Sequence, residues 1–294
     1  MQQTIDELRS QFSCPGLCFE QGDGSLTKAV VATSDATGEL YLHGAHVTGF
    51  QLPGQKPVLW TSKKSLFESG KAIRGGVPIC FPWFGPNAAN PKAPSHGYAR
   101  TKPWRFASAV ASADGNLTLE LQTEIDDFAA AFFVTFGKAL EMKLQITLLS
   151  GASGPARYEA ALHTYLGVSD IRSISIEGLE TTGYIDKVDG GKTKPASGAA
   201  IRFSGECDRV YLDTTATCVL KDPGYARTIS ISKSDSHSTI VWNPWIEKSA
   251  KMADFGDAEW LEMVCIETAN VASNSIELQP GDSHTMAATI VALA

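Results

Sequence analysis

At 294 residues, the chain is long enough for one large β-domain or two ordinary domains, and its 43% hydrophobic and 19% charged residues are typical of a globular protein. Its formal net charge of −7 argues against nucleic acids and anionic membranes as partners, because both bind basic surfaces. An anionic small molecule remains possible, since it needs only a local cluster of cations. No apolar stretch of about 18 residues is present to span a bilayer.

The first twelve residues predict a short amphipathic helix. Ile5, Leu8 and Phe12 follow helical spacing, which places the helix within residues 3–12. Early acidic residues and the lack of an apolar core argue against a signal peptide. The six cysteines are scattered, and no second Cys/His pair completes a zinc site with the C-x3-C pair near the N-terminus. We therefore expect a cytoplasmic protein with free thiols.

Beyond this helix, apolar and polar residues alternate with a period of two, as they do in half-buried β-strands. Turn signals such as Asp114-Gly115 and Pro223-Gly224 separate the alternating runs. Many short strands at regular spacing predict one antiparallel all-β domain over residues 1–294, a sandwich or a barrel. The alternating apolar residues are Leu117, Leu119, Leu121, Leu140, Met142, Leu144, Ile146, Leu148, Ile174, Ile176, Ile229 and Ile231.

Two segments rich in glycine, proline and cations could bind an anion. Residues 73–86 read I-R-G-G-V-P-I-C-F-P-W-F-G-P, which excludes a regular central strand and predicts a bent strand or loop. Arg74 precedes two glycines that let a ligand approach closely, so it is either a binding residue or a clamp on loop carbonyls. His96 and Arg100 lie in the longest segment without strand character, residues 85–102. Together with two nearby lysines, they form either an anion site or a solvated basic loop.

Two further segments carry groups suited to proton transfer. If the segment around His163 is a strand, His163 lies on one face with Ala161 and Tyr165. A strand histidine of this kind is either a core residue or a catalyst. Alternation places Glu267 at the end of an apolar stripe, where desolvation would raise its pKa toward the value that a general base needs. A buried glutamate satisfied by backbone donors explains the pattern equally well.

Three other polar residues have weaker patterns. Asp208 opens a predicted strand and serves either as a turn cap or as a ligand contact. His43 and His46 are three residues apart, which on a strand places them on opposite faces and argues against a shared metal ion. No nucleophile elbow, phosphate-binding loop, dinucleotide fingerprint or H-E-x-x-H motif is present.

Taken together, these segments resemble the hexose-6-phosphate mutarotases, or glucose-6-phosphate 1-epimerases, a branch of the aldose 1-epimerase family. The resemblance implies an antiparallel β-supersandwich of the galactose mutarotase type. The matching motifs occur in family order and cover most of the chain: G-A-H-V-T-G-F (44–50), I-R-G-G-V-P-I-C-F-P-W-F-G (73–85), S-H-G-Y-A-R (95–100), L-H-T-Y-L (162–166), the Asp208 segment, V-W-N-P-W-I-E-K (241–248) and C-I-E-T-A-N (265–270).

Carried over position by position, the resemblance implies a site of two catalytic and five substrate-binding residues. His163 matches the general acid and Glu267 the general base. Some relatives have glutamine at the position of Ser95, so a substrate contact there requires a shorter side chain or a water molecule. The residues matching substrate-binding positions are Arg74, Ser95, His96, Arg100 and Asp208.

The reaction that the resemblance implies is mutarotation of a hexose 6-phosphate. Nothing is oxidised and no strong nucleophile is formed, so the chemistry requires neither a cofactor nor a metal ion. We expect the protein to be a monomer. An ordinary histidine pKa of about 6.5 would suit His163 to donate a proton. Trp83 or Phe81 could stack on the sugar. The alternatives are an aldose 1-epimerase acting on free hexoses and a carbohydrate-binding protein without catalysis.

Overall fold

The computed structural model describes residues 3–293, and its first element is the short helix α1, Ile5–Gln11. The helix lies inside the predicted range. Thr4 caps it: the Thr4 hydroxyl accepts a hydrogen bond from the Glu7 N–H, and the Glu7 carboxylate accepts one from the Thr4 N–H. A second helix, α2, spans Trp245–Ser249. Neither helix within residues 3–293 has the length and apolar composition needed to cross a membrane.

Strands make up most of the chain, as the alternation predicts. Short 3₁₀ turns connect several of them, at Asp23–Ser25, Ala99–Thr101, Pro223–Tyr225, Glu259–Glu262 and Ala272–Asn274. In chain order the strands are β1 Leu17–Gln21, β2 Thr27–Ala32, β3 Thr37–Tyr41, β4 His46–Gln51, β5 Ile79–Cys80, β6 Arg105–Ala111, β7 Leu117–Ile125, β8 Phe128–Phe136, β9 Leu140–Leu148, β10 Ala156–Tyr158, β11 Ala160–Leu162, β12 Tyr165–Gly167, β13 Ser175–Glu177, β14 Tyr184–Asp186, β15 Lys192–Lys194, β16 Cys207–Tyr211, β17 Cys218–Asp222, β18 Arg227–Ser234, β19 Ser238–Asn243, β20 Met263–Asn270, β21 Ile276–Leu278 and β22 Ser283–Leu293.

The strands form two eight-stranded antiparallel sheets, with a four-stranded sheet (β1-β2-β3-β4) and the pair β10-β21 beside them. The back sheet has the order β13-β17-β18-β22-β9-β8-β7-β6. The site sheet has the order β15-β14-β16-β19-β20-β11-β5, with β12 also pairing with β20. Buried side chains from both sheets belong to one continuous apolar core. The architecture is therefore the all-β sandwich that the sequence predicts.

The back sheet confirms the period-two pattern. Leu121, Phe132, Leu144 and Met286 lie opposite one another on four neighbouring strands, and all four are buried. Each such side chain contributes about 1.5–3 kcal/mol by leaving water, as an upper estimate. The polar residues between them face outward. All twelve apolar residues named from the alternation are buried.

The site sheet has a different pattern, because its central strands β19 and β20 are buried at every residue. One face of these strands packs on the core, and the other carries the polar side chains of the candidate site. On that second face, Asp208 lies opposite Trp242, and Trp242 lies opposite Cys265. Glu267 follows two residues further along β20, opposite Ile240.

The strand proposed around His163 is interrupted. β11 ends at Leu162 and β12 begins at Tyr165, leaving His163 and Thr164 between them. The His163 N–H donates to the carbonyl of Pro78, which holds the backbone in place through this break. The predicted shared side is nevertheless retained locally, because the rings of His163 and Tyr165 stack on each other.

Candidate active site

The site is centred on His163 and Glu267, which the fold brings together from separate strands. His163 Nε2 lies 3.4 Å from Glu267 Oε1, and the two side chains are 9% and 1% exposed. Within residues 3–293, neither carboxylate oxygen of Glu267 nor Nδ1 of His163 has a hydrogen-bond partner. Buried polar groups are normally satisfied, so an unsatisfied pair at one place is suited to a polar ligand.

Burial pushes the two pKa values in opposite directions. Desolvation, followed by the Coulomb interaction with His96 and then by the positive charges of Arg100 and Arg74, holds the pKa of His163 well below 6.5. Desolvation raises the pKa of Glu267 well above 4.5, and the Asp208 carboxylate raises it further. The expectation of an ordinary histidine pKa was therefore wrong, because the sequence did not show how completely the ring is buried. Burial thus disfavours the charged forms of both groups, the imidazolium and the carboxylate.

Aromatic rings fix the orientation of the His163 imidazole. Tyr165 stacks on it with ring centroids 4.9 Å apart and an angle of 12° between the planes. The rings of His96 and Trp242 form T-shaped pairs with it, with centroids 5.7 Å and 6.0 Å from its own. The Tyr165 hydroxyl in turn accepts a hydrogen bond of 3.0 Å from Nη1 of Arg74. The imidazole is thus held by packing rather than by a hydrogen bond to its second nitrogen.

Arg74 lies at this site and is held by side chains rather than by the loop carbonyls suggested above. Its guanidinium forms an ion pair of 3.0 Å with Asp254, and its Nε also donates to that carboxylate at 3.1 Å. Two buried histidines hold the loop around Arg74 through hydrogen bonds to its carbonyl groups. His43 Nε2 bonds the carbonyl of Lys71, and His46 Nε2 bonds the carbonyl of Gly75. These histidines are structural, and they do not form a metal pair.

The predicted anion loop reaches the same site. His96 adopts a positive φ of 67°, and its Nδ1 accepts a hydrogen bond from the N–H of Gly85. The ring hydrogen of its neutral form is therefore on Nε2. Arg100 Nη2 donates to the carbonyl of Ser95 at 2.8 Å, while its buried Nε has no partner among residues 3–293. The Ser95 residue is exposed, and only its carbonyl is used.

Asp208 lies on the other side of the site with a lysine beside it. Lys248 Nζ is 3.7 Å from Asp208 Oδ2 and 2.8 Å from Glu206 Oε1. The same ammonium lies over the ring of Trp242, 6.0 Å from its centroid. Burial raises the pKa of Asp208, and Lys248 opposes that rise. Asp208 is therefore a charged strand residue facing the site rather than a turn cap.

Two of the aromatic residues suggested for stacking have other contacts. Phe81 is fully buried and packs edge-on against Phe128 and Tyr158, so it belongs to the core. Trp83 donates its indole N–H to the carbonyl of Pro94 and packs against Tyr98. A surface cavity of about 860 Å³ lies against β6–β9 and contains none of the predicted site residues.

Four residues lie at or beside the site without a functional role predicted from the sequence. Tyr165 was placed on one face with His163, and Trp242 was visible only as part of a matching motif. Asp254 lies 180 positions from its partner Arg74, and no local pattern marks it. Cys265 lies two residues before Glu267 on the same strand, and its Sγ lies within 4.8 Å of both the His163 and the Glu267 ligand atoms. These three side chains are the group within residues 3–293 that could hold a metal ion.

Comparison with known proteins agrees with this geometry. The sequence profile described as "Aldose 1-epimerase" matches residues 30–290. This chain belongs to the aldose 1-epimerase family. A protein of Escherichia coli K12 named "Putative glucose-6-phosphate 1-epimerase" is 36% identical over 236 residues, 78% of this chain and 78% of its own. A Cenchrus ciliaris protein of the same name is 32% identical over 259 residues, 83% of this chain and 78% of its own.

The fold of this aldose 1-epimerase family member is also similar to that of a solved structure. The crystal structure named "a putative mutarotase (YeaD)", from Salmonella typhimurium, matches with a TM-score of 0.85 at 32% identity. The match covers 95% of this chain and 94% of the other. The β-supersandwich implied by the resemblance is thereby confirmed.

Proposed function

We propose that this chain is a mutarotase that interconverts the α and β anomers of a hexose 6-phosphate, with glucose 6-phosphate as the first substrate to test. The observation that carries the proposal is the buried His163–Glu267 pair, whose polar atoms lack partners. Relatives named as glucose-6-phosphate 1-epimerases support the choice of sugar. The monomeric state and the cytoplasmic location stay predictions.

In the proposed reaction two protons move in opposite directions. Glu267 removes the proton from the anomeric hydroxyl, and His163 delivers a proton to the ring oxygen as the bond between C1 and that oxygen breaks. The open-chain aldehyde then rotates about C1–C2, and closure on the other carbonyl face reverses both transfers. Each transfer step contributes on the order of 10²–10⁴-fold in rate. The atoms balance, because the same two protons return.

Substrate binding is what makes the pair reactive. Catalysis requires an imidazolium and a carboxylate, which together hold the same single proton as the neutral pair. Sugar hydroxyls that donate to Glu267 stabilise its charged form, because they supply hydrogen bonds that it otherwise lacks. A phosphate dianion bound nearby would stabilise the His163 imidazolium through its negative charge. Contacts with the substrate would thus offset the burial that disfavours both charged forms.

The two arginines explain a preference for the phosphate. A free hexose offers only hydroxyls, whereas a dianion favours guanidinium groups with several donors in one plane. Arg100 is close enough to shift the pKa of both catalytic groups, and its Nε is without a partner in the part of the chain described. We assign Arg100 and Arg74 to the phosphate, and Asp208 and His96 to sugar hydroxyls. Ser95 would contact the sugar through water.

An aldose 1-epimerase acting on free hexoses is the alternative, and an NMR measurement of anomer exchange separates the two. Arg100→Ala should raise KM for glucose 6-phosphate roughly 10- to 150-fold, the equivalent of about 1.5–3 kcal/mol for a charge-assisted hydrogen bond. Exchange of free glucose should change little. Arg105→Ala, which removes an exposed strand arginine, is the matched control. Equal effects of Arg100→Ala on both sugars would remove the phosphate assignment.

A further inference from the structure

Cys265 is a buried thiol beside the catalytic pair, and the proposed reaction does not use it. It lies two residues before Glu267 on the same face of β20 and is fully buried. The ligand atoms of Cys265, Glu267 and His163 all lie within 4.8 Å of one another. We call these three residues the Cys265 triad. A thiol, an imidazole and a carboxylate in one place are the ligand types that zinc-class ions bind.

The distances within the Cys265 triad are close to those of a tetrahedral metal site. Zinc bonds of about 2.0–2.3 Å at tetrahedral angles separate neighbouring ligand atoms by roughly 3.3–3.6 Å. The observed separation of His163 Nε2 and Glu267 Oε1 is 3.4 Å, which already fits. The Cys265 sulfur would need to approach the other two ligand atoms by at most about 1.2 Å to reach the same range.

Charge and hydrogen bonding also favour a cation here. A divalent ion with a thiolate, a carboxylate and a neutral imidazole gives a site with no net charge, which suits a buried position. The ion would satisfy the Glu267 oxygens that lack partners within residues 3–293. Asp208 adds a favourable negative charge nearby, whereas Arg74 and Arg100 oppose the cation.

We propose that the Cys265 triad binds a thiophilic divalent cation of the zinc class and that this binding inhibits the enzyme. On binding, the Cys265 thiol and the Glu267 carboxyl group release their protons to solvent, and lone pairs of sulfur, Nε2 and a carboxylate oxygen form the bonds to the metal. No group is oxidised or reduced. With the ion in place, His163 Nε2 carries no proton to deliver, and the metal withdraws charge from the Glu267 carboxylate, so that neither group can serve the proposed proton transfers. The proposal that a metal ion binds depends on the Cys265 triad alone, whereas the proposal that it inhibits depends also on the proposed function.

The test uses Co²⁺ as a spectroscopic probe and Zn²⁺ as the inhibitor. All proteins carry Cys18→Ser, because Cys18 is exposed and would bind thiophilic ions independently. We expect one Co²⁺ per chain with a thiolate-to-cobalt absorption band, displaced by Zn²⁺ and removed by a chelator. Zn²⁺ should slow anomer exchange measured by NMR, and the chelator should restore it.

Cys265→Ala separates this site from other effects. It should keep anomer exchange, lose the cobalt band and weaken inhibition by Zn²⁺ at least 10-fold. Cys218→Ala, which removes a buried thiol of the back sheet, should behave as the parent protein. If Cys265→Ala folds poorly, the near-isosteric Cys265→Ser provides the same comparison.

Inhibition of Cys265→Ala or Cys265→Ser at the parent's zinc concentration would overturn the proposal, as would a parent protein without the cobalt band. A parent protein that shows the band but no anomer exchange would refute the proposed function and leave the metal site standing.

Discussion

Glu267→Gln exchanges one carboxylate oxygen for an amide nitrogen at a site where neither oxygen has a hydrogen-bond partner within residues 3–293. The shape of the side chain is nearly unchanged, and the negative charge is removed. Because the side chain is 1% exposed, a carboxylate there is desolvated without compensation. We therefore expect the variant to be more stable than the wild type and, if Glu267 is the proposed general base, almost inactive.

The gain in stability should depend on pH, with a sign that follows from the pKa shift. Burial raises the folded-state pKa of Glu267 above its unfolded value of about 4.5. Between these two values the folded state binds a proton that the unfolded state releases, so the wild type loses stability as pH rises through this window. Below about pH 4.5, Glu267 is protonated in both states, and the advantage of the variant disappears.

The size of the effect follows from the cost of an unsatisfied buried polar group, about 1–3 kcal/mol. At about 2 °C per kcal/mol for a chain of this length, Tm at pH 8 should rise by roughly 2–6 °C. The rate of anomer exchange should fall on the order of 10²–10⁴-fold. Calorimetry at pH 4 and pH 8, together with exchange NMR, measures both quantities.

Glu259 provides a matched control, because it is a buried glutamate whose carboxylate is fully hydrogen-bonded. It accepts bonds from the Ser62 hydroxyl, the Lys63 N–H and the Gly256 N–H. Glu259→Gln should therefore lower Tm at pH 8 and leave the chemistry intact. If Glu267→Gln also lowered Tm at pH 8, or if its gain were as large at pH 4, the argument from the unsatisfied carboxylate would be wrong.

Two further predictions concern the proton-transfer pair. Tyr165→Phe keeps the ring that stacks on His163 but removes the hydroxyl that accepts a 3.0 Å hydrogen bond from Arg74. We therefore expect kcat/KM for glucose 6-phosphate to fall roughly tenfold, with little change in Tm. Steady-state exchange NMR and calorimetry test this, and an unchanged kcat/KM would show that the hydroxyl does not position Arg74. The plot of kcat/KM against pH should be bell-shaped for the wild type, and a flat plot from about pH 5 to pH 9 would contradict acid–base catalysis.

The sequence by itself was sufficient for the strands of the back sheet, and it singled out His163 and Glu267, which the fold brings together. Apolar and polar residues alternate in β7, β8, β9 and β22 because one face of the sheet is buried and the other is exposed. Since successive side chains point to opposite faces, this pattern can be read from neighbouring residues in the sequence. The short N-terminal helix likewise follows from local spacing and its Thr4 cap. Recognition of His163 and Glu267 needed the set of family motifs, because either residue alone fits a packed core equally well.

Tertiary structure alone decided the directions of the pKa shifts and the partners of the site residues. Desolvation and Coulomb interactions depend on which distant residues pack around a group, and the pKa of His163 is lowered by burial and by two arginines from other loops. The pairing of Arg74 with Asp254, and of Cys265 with the catalytic pair, joins segments that share no local signal. The break between β11 and β12 is equally non-local, since the contacts of β5 and β20 determine where His163 leaves the strand.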